Sequence, residues 1–213
     1  MSGKIIEMKM VNLEIKKNGA IRGKEDALVI NFTLVYPRPG EPGISTIKQL
    51  TPQAPFSIDY TQASYAQSVI FKELIVGDSQ LVIDVLAVDN PSKFESFLTG
   101  IFKGVLTVAT GNVVGGISNV FMGAAAGSAG DAFLGQIKTD KSTQRIGHVV
   151  VDLKSDDLQN ALQIDKELTV PQDIIHSEKV YNDDGSGSDD KETVLLAKGD
   201  VNGRIKFAVH PLS

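Results

Sequence analysis

The residue types that do most protein chemistry are sparse in this sequence and widely spaced. Its three histidines, His148, His176 and His210, lie far apart with no metal-ligand spacing, and each is expected on a strand face or at the surface. There is no cysteine, which excludes disulfides, thiolate zinc sites and a cysteine nucleophile and suits a reducing compartment. No GxxxxGKS/T phosphate loop occurs, no GxGxxG follows a strand, and HExxH and GxSxG are absent. Asp183, Asp184, Asp189 and Asp190 crowd one stretch, NDDGSGSDDK. They do not make the EF-hand pattern of acids at alternate positions followed by glycine and a final glutamate, so a solvated loop is expected. Asp156-Asp157 reads as a helix start, where acids meet the favourable end of the helix dipole. An enzyme is therefore not expected.

The whole chain is acidic, with a formal net charge of -5 and a pI of about 5.2. Its densest basic stretch is only Lys16, Lys17, Arg22 and Lys24. Phosphate backbones are bound largely by charge neutralisation, so nucleic acid is excluded as a partner. The N-terminus, MSGKIIEMKMVNLEIKK, lacks the apolar core of a signal peptide, and a cytoplasmic protein is expected.

The elements that must position any site are mostly strands. Residues 4–16 alternate apolar and charged, the period-two pattern of a half-buried strand. Residues 27–36, ALVINFTLVY, are β-branched and aromatic, and strands are expected again at 44–50, 69–76, 80–88 and 146–153. Residues 51–68 read as irregular or briefly helical, and 168–181 are ambiguous. Leu158 and Leu162 lie four apart after Asp156-Asp157, which predicts a helix running to Glu167. The chain is expected to close in a hairpin, TVLLAK and RIKFAVH about a turn that includes Asn202-Gly203.

One stretch differs. Gly104 to Gly130 holds no charged residue. From Phe97 the apolar positions recur at helical spacing, and glycines fall four apart at Gly100/Gly104, Gly111/Gly115 and Gly123/Gly127. Gly115-Gly116 breaks the run into halves too short to span a hydrocarbon core of about 30 Å. The expectation is a helical hairpin inserted at 96–144, used as core, as a self-association surface or as a membrane contact. Its apolar face would be Phe97, Ile101, Phe102, Val105 and Leu106.

The order of strand segments resembles a C-two domain, the calcium- and phospholipid-binding β-sandwich. Glu25-Asp26-Ala27-Leu28-Val29 stands where that family has a strand entry. Leu81 to Asp89 resembles the strand ending in its Asp-x-Asp pair, Ile146-Gly147-His148 its Ile-Gly strand, and Gly203 to Phe207 its last strand. The resemblance implies calcium ligands at Asp26, Asp89 and Glu95. It departs from the family where Ala87 replaces the first Asp of the pair, so any calcium site would be weak; no other cofactor is implied. The expected fold is thus one all-β domain over 1–213, a C-two-like antiparallel β-sandwich with an inserted α-helical hairpin. The expected function is a non-enzymatic interaction module for phospholipid or protein. The alternative is a structural homo-oligomer without a lipid role.

Overall fold

The computed structural model describes residues 3–19, 27–35, 44–50, 54–88, 143–181 and 188–212. The strands are β1 (Lys4–Ile15), β2 (Ala27–Val35), β3 (Ile44–Gln49), β4 (Phe56–Asp59), β5 (Val69–Ile75), β6 (Ser79–Val88), β7 (Thr143–Leu153), β8 (Leu162–Thr169), β9 (Ile174–Tyr181), β10 (Ser188–Leu196) and β11 (Val201–Leu212). Every pairing among them is antiparallel.

Nine strands form one sheet in the order β3-β2-β6-β7-β8-β11-β1-β4, with β5 beside β4 along the same edge of β1. Alternate residues of each long strand enter a single core: Ile6, Met8 and Met10 from β1, Ile30 and Phe32 from β2, Ile83 and Val85 from β6, Ile205 and Phe207 from β11. One face of a nine-stranded sheet meets itself in one cluster only if the sheet folds over. The fold falls at the β7–β8 junction, joined by a single residue pair, His148↔Thr169. The architecture is all-β and compatible with a β-sandwich.

At the opposite end from that junction's splay, Asn202 stitches the halves together. Its amide oxygen accepts from Lys17 N–H (3.0 Å), and its amide nitrogen donates to the carbonyls of Lys17 (2.8 Å) and Ile146 (2.9 Å). All three partners are backbone groups on segments distant in sequence, so one buried side chain fixes the spacing of β1, β7 and β11.

Three expectations are corrected. The expected α-helical hairpin is not found among the described residues. Among the described residues, helix is confined to α1 (Tyr65–Ser68) and a 3-10 turn, Asp157–Gln159. Positions 96–142 of that expectation lie outside the described residues, and Thr143 and Gln144, placed in the insertion, begin β7 instead.

The helix expected up to Glu167 is the 3-10 turn followed by β8. Leu162, Ile164 and Leu168 keep period two, and their burial facing the core outweighs the four-residue spacing of Leu158 and Leu162. The closing hairpin is also replaced. β10 pairs with β9, while β11 pairs with β1 and β8. The turn before β11 holds Gly199 at φ 88°, and Asn202-Gly203 lies within the strand. Gly203 is needed there for close approach, since a Cβ would stand 2.2 Å from the Glu14 carbonyl oxygen.

Candidate functional site

Lone charged residues inside apolar strands need partners, because a buried charge without one is costly. Asp84 sits in the middle of LVIDVLAV and is fully buried. Its Oδ1 lies 2.8 Å from His148 Nδ1 and 3.6 Å from Arg145 Nη1. Arg145 and His148 are three apart, a spacing that would put them on opposite faces of a regular strand. The β6–β7 register shifts between Val85 and Leu86, which brings both onto the Asp84 face. Gly147 permits this, because a Cβ there would press on Leu168 Cβ at 3.2 Å and on Val85. Asn31 stands directly across from Asp84 on β2 and donates from Nδ2 to Thr33 Oγ1 (3.1 Å).

This cluster holds the point from which β7 and β8 diverge. His148 is the β7 half of the one β7–β8 pair, and Thr169 Oγ1 donates to the His148 carbonyl at 3.3 Å. Beyond it the strands separate around a groove of about 680 Å³. The other edge of β7 is taken by β6 and the other edge of β8 by β11. Among the described residues, no strand pairs with the facing edges at 149–153 and 162–168. Val151, Leu153 and Leu158 are buried at the base, and Leu162 and Ile164 are half-buried against the core.

The rim carries no surplus of positive charge: Asp152, Asp156, Asp157 and Asp165 stand against Lys154 and Lys166. Asp152 accepts from Gln80 Nε2 at 2.6 Å, and Asp165 is bound by Arg204 Nε at 2.6 Å and by Lys206 Nζ at 3.6 Å. The hydrogen bond from Arg204 holds the Asp165 carboxyl below the usual aspartate range. Lys154 and Lys166 stand among the same lining residues as Asp156 and Asp157. The arrangement offers main-chain donors and acceptors over an apolar base, with no excess of positive charge.

The residues expected to form a site are not brought together in what is described. Asp26, Asp89 and Glu95, and the apolar set Phe97, Ile101, Phe102, Val105 and Leu106, all lie outside the described residues. Ala27 and Val88, the chain neighbours of Asp26 and Asp89, pair directly at one end of the β2–β6 ladder. Ala87 is buried between strands. Among the described residues no group of three or more His, Cys, Asp or Glu could hold a metal ion, and no helix is long and apolar enough to cross a membrane.

His148 was expected on a strand face or at the surface and lies on a strand, but its hydrogen bond with Asp84 was missed. The single acid inside an apolar run was the available signal. The groove left no such signal, because it arises from which strands fail to pair. In comparison with known proteins, no family model matches this sequence and no curated protein matches it.

Proposed function

We propose that the chain is a non-enzymatic interaction module, a C-two-like β-sandwich that takes an extended polypeptide segment in the groove between β7 and β8. The observation that carries this reading is the pair of facing strand edges without a ladder at 149–153 and 162–168. A segment laid there gains main-chain hydrogen bonds on its edges and sets alternate side chains on Leu162 and Ile164, the strand-addition mode of recognition. A rim without surplus cations favours a peptide over an anionic phospholipid headgroup, which would call for them. The His148–Asp84 pair serves this reading as an anchor for the strand junction, not as a base and its orienting acid.

Peptides selected from a random displayed library against the full chain test the reading. Selected peptides are expected to lose about tenfold or more in affinity on Ile164→Lys, which sets a charge in an apolar contact. They are also expected to lose binding when their own backbone nitrogens are N-methylated at alternate residues, a change that leaves the protein untouched. Recovery of no peptide, or of peptides indifferent to both changes, overturns the proposal. A light-scattering mass of several subunits in that case would assign the groove to a second copy of the chain.

A further inference from the structure

The groove between β7 and β8 has two unlike ends. Its lining stops at Val150 on β7 and Lys166 on β8, short of the His148↔Thr169 pair. At the other end the connection between the two strands itself lines the groove, through Lys154, Asp156, Asp157, Leu158 and Asn160. That connection is fastened from both sides. Ser155 N–H donates to Asp78 Oδ1 (2.9 Å) just before β6, Lys4 Nζ on β1 donates to the Gln159 carbonyl (3.4 Å), and Leu158 is buried in the core. Its own turn is closed by the Asp157 and Leu158 N–H groups on the Lys154 carbonyl, at 3.0 and 3.2 Å. A chain laid along the strands meets a fixed wall at this end and continues only past the other.

The walled end is also where the acids of the lining are free. Asp152 is bound by Gln80, and Asp165 by Arg204 and Lys206. Asp156 and Asp157 are exposed, and the Asp156 side chain caps no helix N–H. Lys154 is the lining lysine at this end, and Lys166 stands at the other. With Asp78 and Lys4, which fasten the connection, three acids stand against two lysines at the wall. One surplus negative charge at a blind end matches one positive charge on an occupant. Between the wall and the last lining residues, the edges at 150–153 and 162–166 run for about 13–17 Å, the length of four or five extended residues.

We propose that the groove takes the free N-terminus of a partner polypeptide. Its α-ammonium lies at Asp156 and Asp157, its first four or five residues lie between β7 and β8, and the chain leaves past Val150 and Lys166. This rests on the groove reading above and narrows its partner to a chain end. In this direction the segment runs antiparallel to β7 and parallel to β8. An internal segment is a poor occupant, because it must climb over the fastened connection and gives up main-chain hydrogen bonds on the strand edges there. A C-terminal carboxylate is a poor occupant too, because it would bring like charge to the end where acids are in surplus.

The probe is a peptide recovered from a random library displayed with free N-termini, then synthesised in four forms and titrated into the full chain. The forms are unmodified, N-acetylated, and extended by five Gly/Ser residues before the first or after the last residue. Extension at the N-terminus is expected to weaken binding about tenfold or more, and extension at the C-terminus to leave it unchanged. Acetylation is expected to weaken it about two- to fivefold, the effect of one exposed ion pair, and to have no effect in Asp156→Asn combined with Asp157→Asn. Both positions are exposed, so amide shifts unchanged elsewhere verify the fold of that variant. An N-terminal extension that binds as before, or a C-terminal extension that costs as much, overturns this inference and leaves the groove reading standing. Acetylation that weakens binding equally in the variant overturns it as well. Peptides indifferent to Ile164→Lys and to backbone N-methylation sink the groove reading and this inference with it.

Discussion

Replacing Asp84 with asparagine tests whether the buried ion cluster holds the strand junction from which the groove opens. Asparagine keeps the shape of aspartate and removes its charge. Asp84 is fully buried, and Arg145 beside it is 6% exposed, so neither charge is well solvated. Breaking a buried pair from one side costs about 3–5 kcal/mol, because the remaining charge stays behind in a poor solvent. The new amide oxygen still accepts from His148 at the 2.8 Å position, which returns about 1 kcal/mol. The expected loss is therefore about 2–4 kcal/mol, a sizeable part of the 5–15 kcal/mol typical of a folded domain.

Urea unfolding of wild type and variant at neutral pH measures it, and melting should fall by roughly 6–12 °C for a chain of this size. Hydrogen exchange at Gly147, His148 and Thr169 should quicken more than at Phe207, which lies deep in the β8–β11–β1 pairing. A loss below about 0.5 kcal/mol, the range of an ordinary surface substitution, would refute the reasoning. Normal exchange at the junction would do the same, and the cluster would then have no part in setting the groove.

Two further outcomes follow from other contacts. Gly203→Ala should destabilise by about 2–4 kcal/mol, because its Cβ would stand 2.2 Å from the Glu14 carbonyl in the β1–β11 pairing, and equilibrium unfolding reads this directly. Glu7 is held below the usual glutamate range, chiefly by the hydrogen bond from Lys9 at 2.6 Å, with the Tyr65 hydroxyl donating to it as well. A carboxyl lowered by folding contributes stability that is fully present above its unfolded value and lost as pH falls through its lower folded value. Stability measured between pH 7 and the acid limb should accordingly fall less steeply in Glu7→Gln than in wild type.

Local pattern was enough to place much of this protein. The alternation in 4–16, the β-branched run of 27–36 and the strands at 44–50, 69–76, 80–88 and 146–153 all stand in the structure within a few residues. An all-β chain was legible for that reason: side-chain period is a property of neighbouring residues, and one face of each strand had a core to enter. Where two periods fitted the same residues, the reading failed. Leu158, Leu162, Ile164 and Leu168 satisfy a helical spacing at their start and a strand spacing after it, and only burial beside β11 decides for β8.

Partner choice between strands was not legible at all. The chain neighbours β10 and β11 invited a hairpin, yet β10 turns back on β9 and β11 runs between β1 and β8. Asn202-Gly203 looked like a turn because both residues tolerate positive φ. Their use here is three backbone hydrogen bonds and one close approach, which depend on segments as far away as Lys17 and Ile146. The groove, the Asp84–His148 pair and the separate β9–β10 ribbon belong to the same category. The sequence by itself determined the strands and their inward faces, because those follow from residues a few positions apart. Which edges are satisfied and which are left open was decided by the tertiary structure, because hydrogen-bond partners in a sheet come from anywhere in the chain.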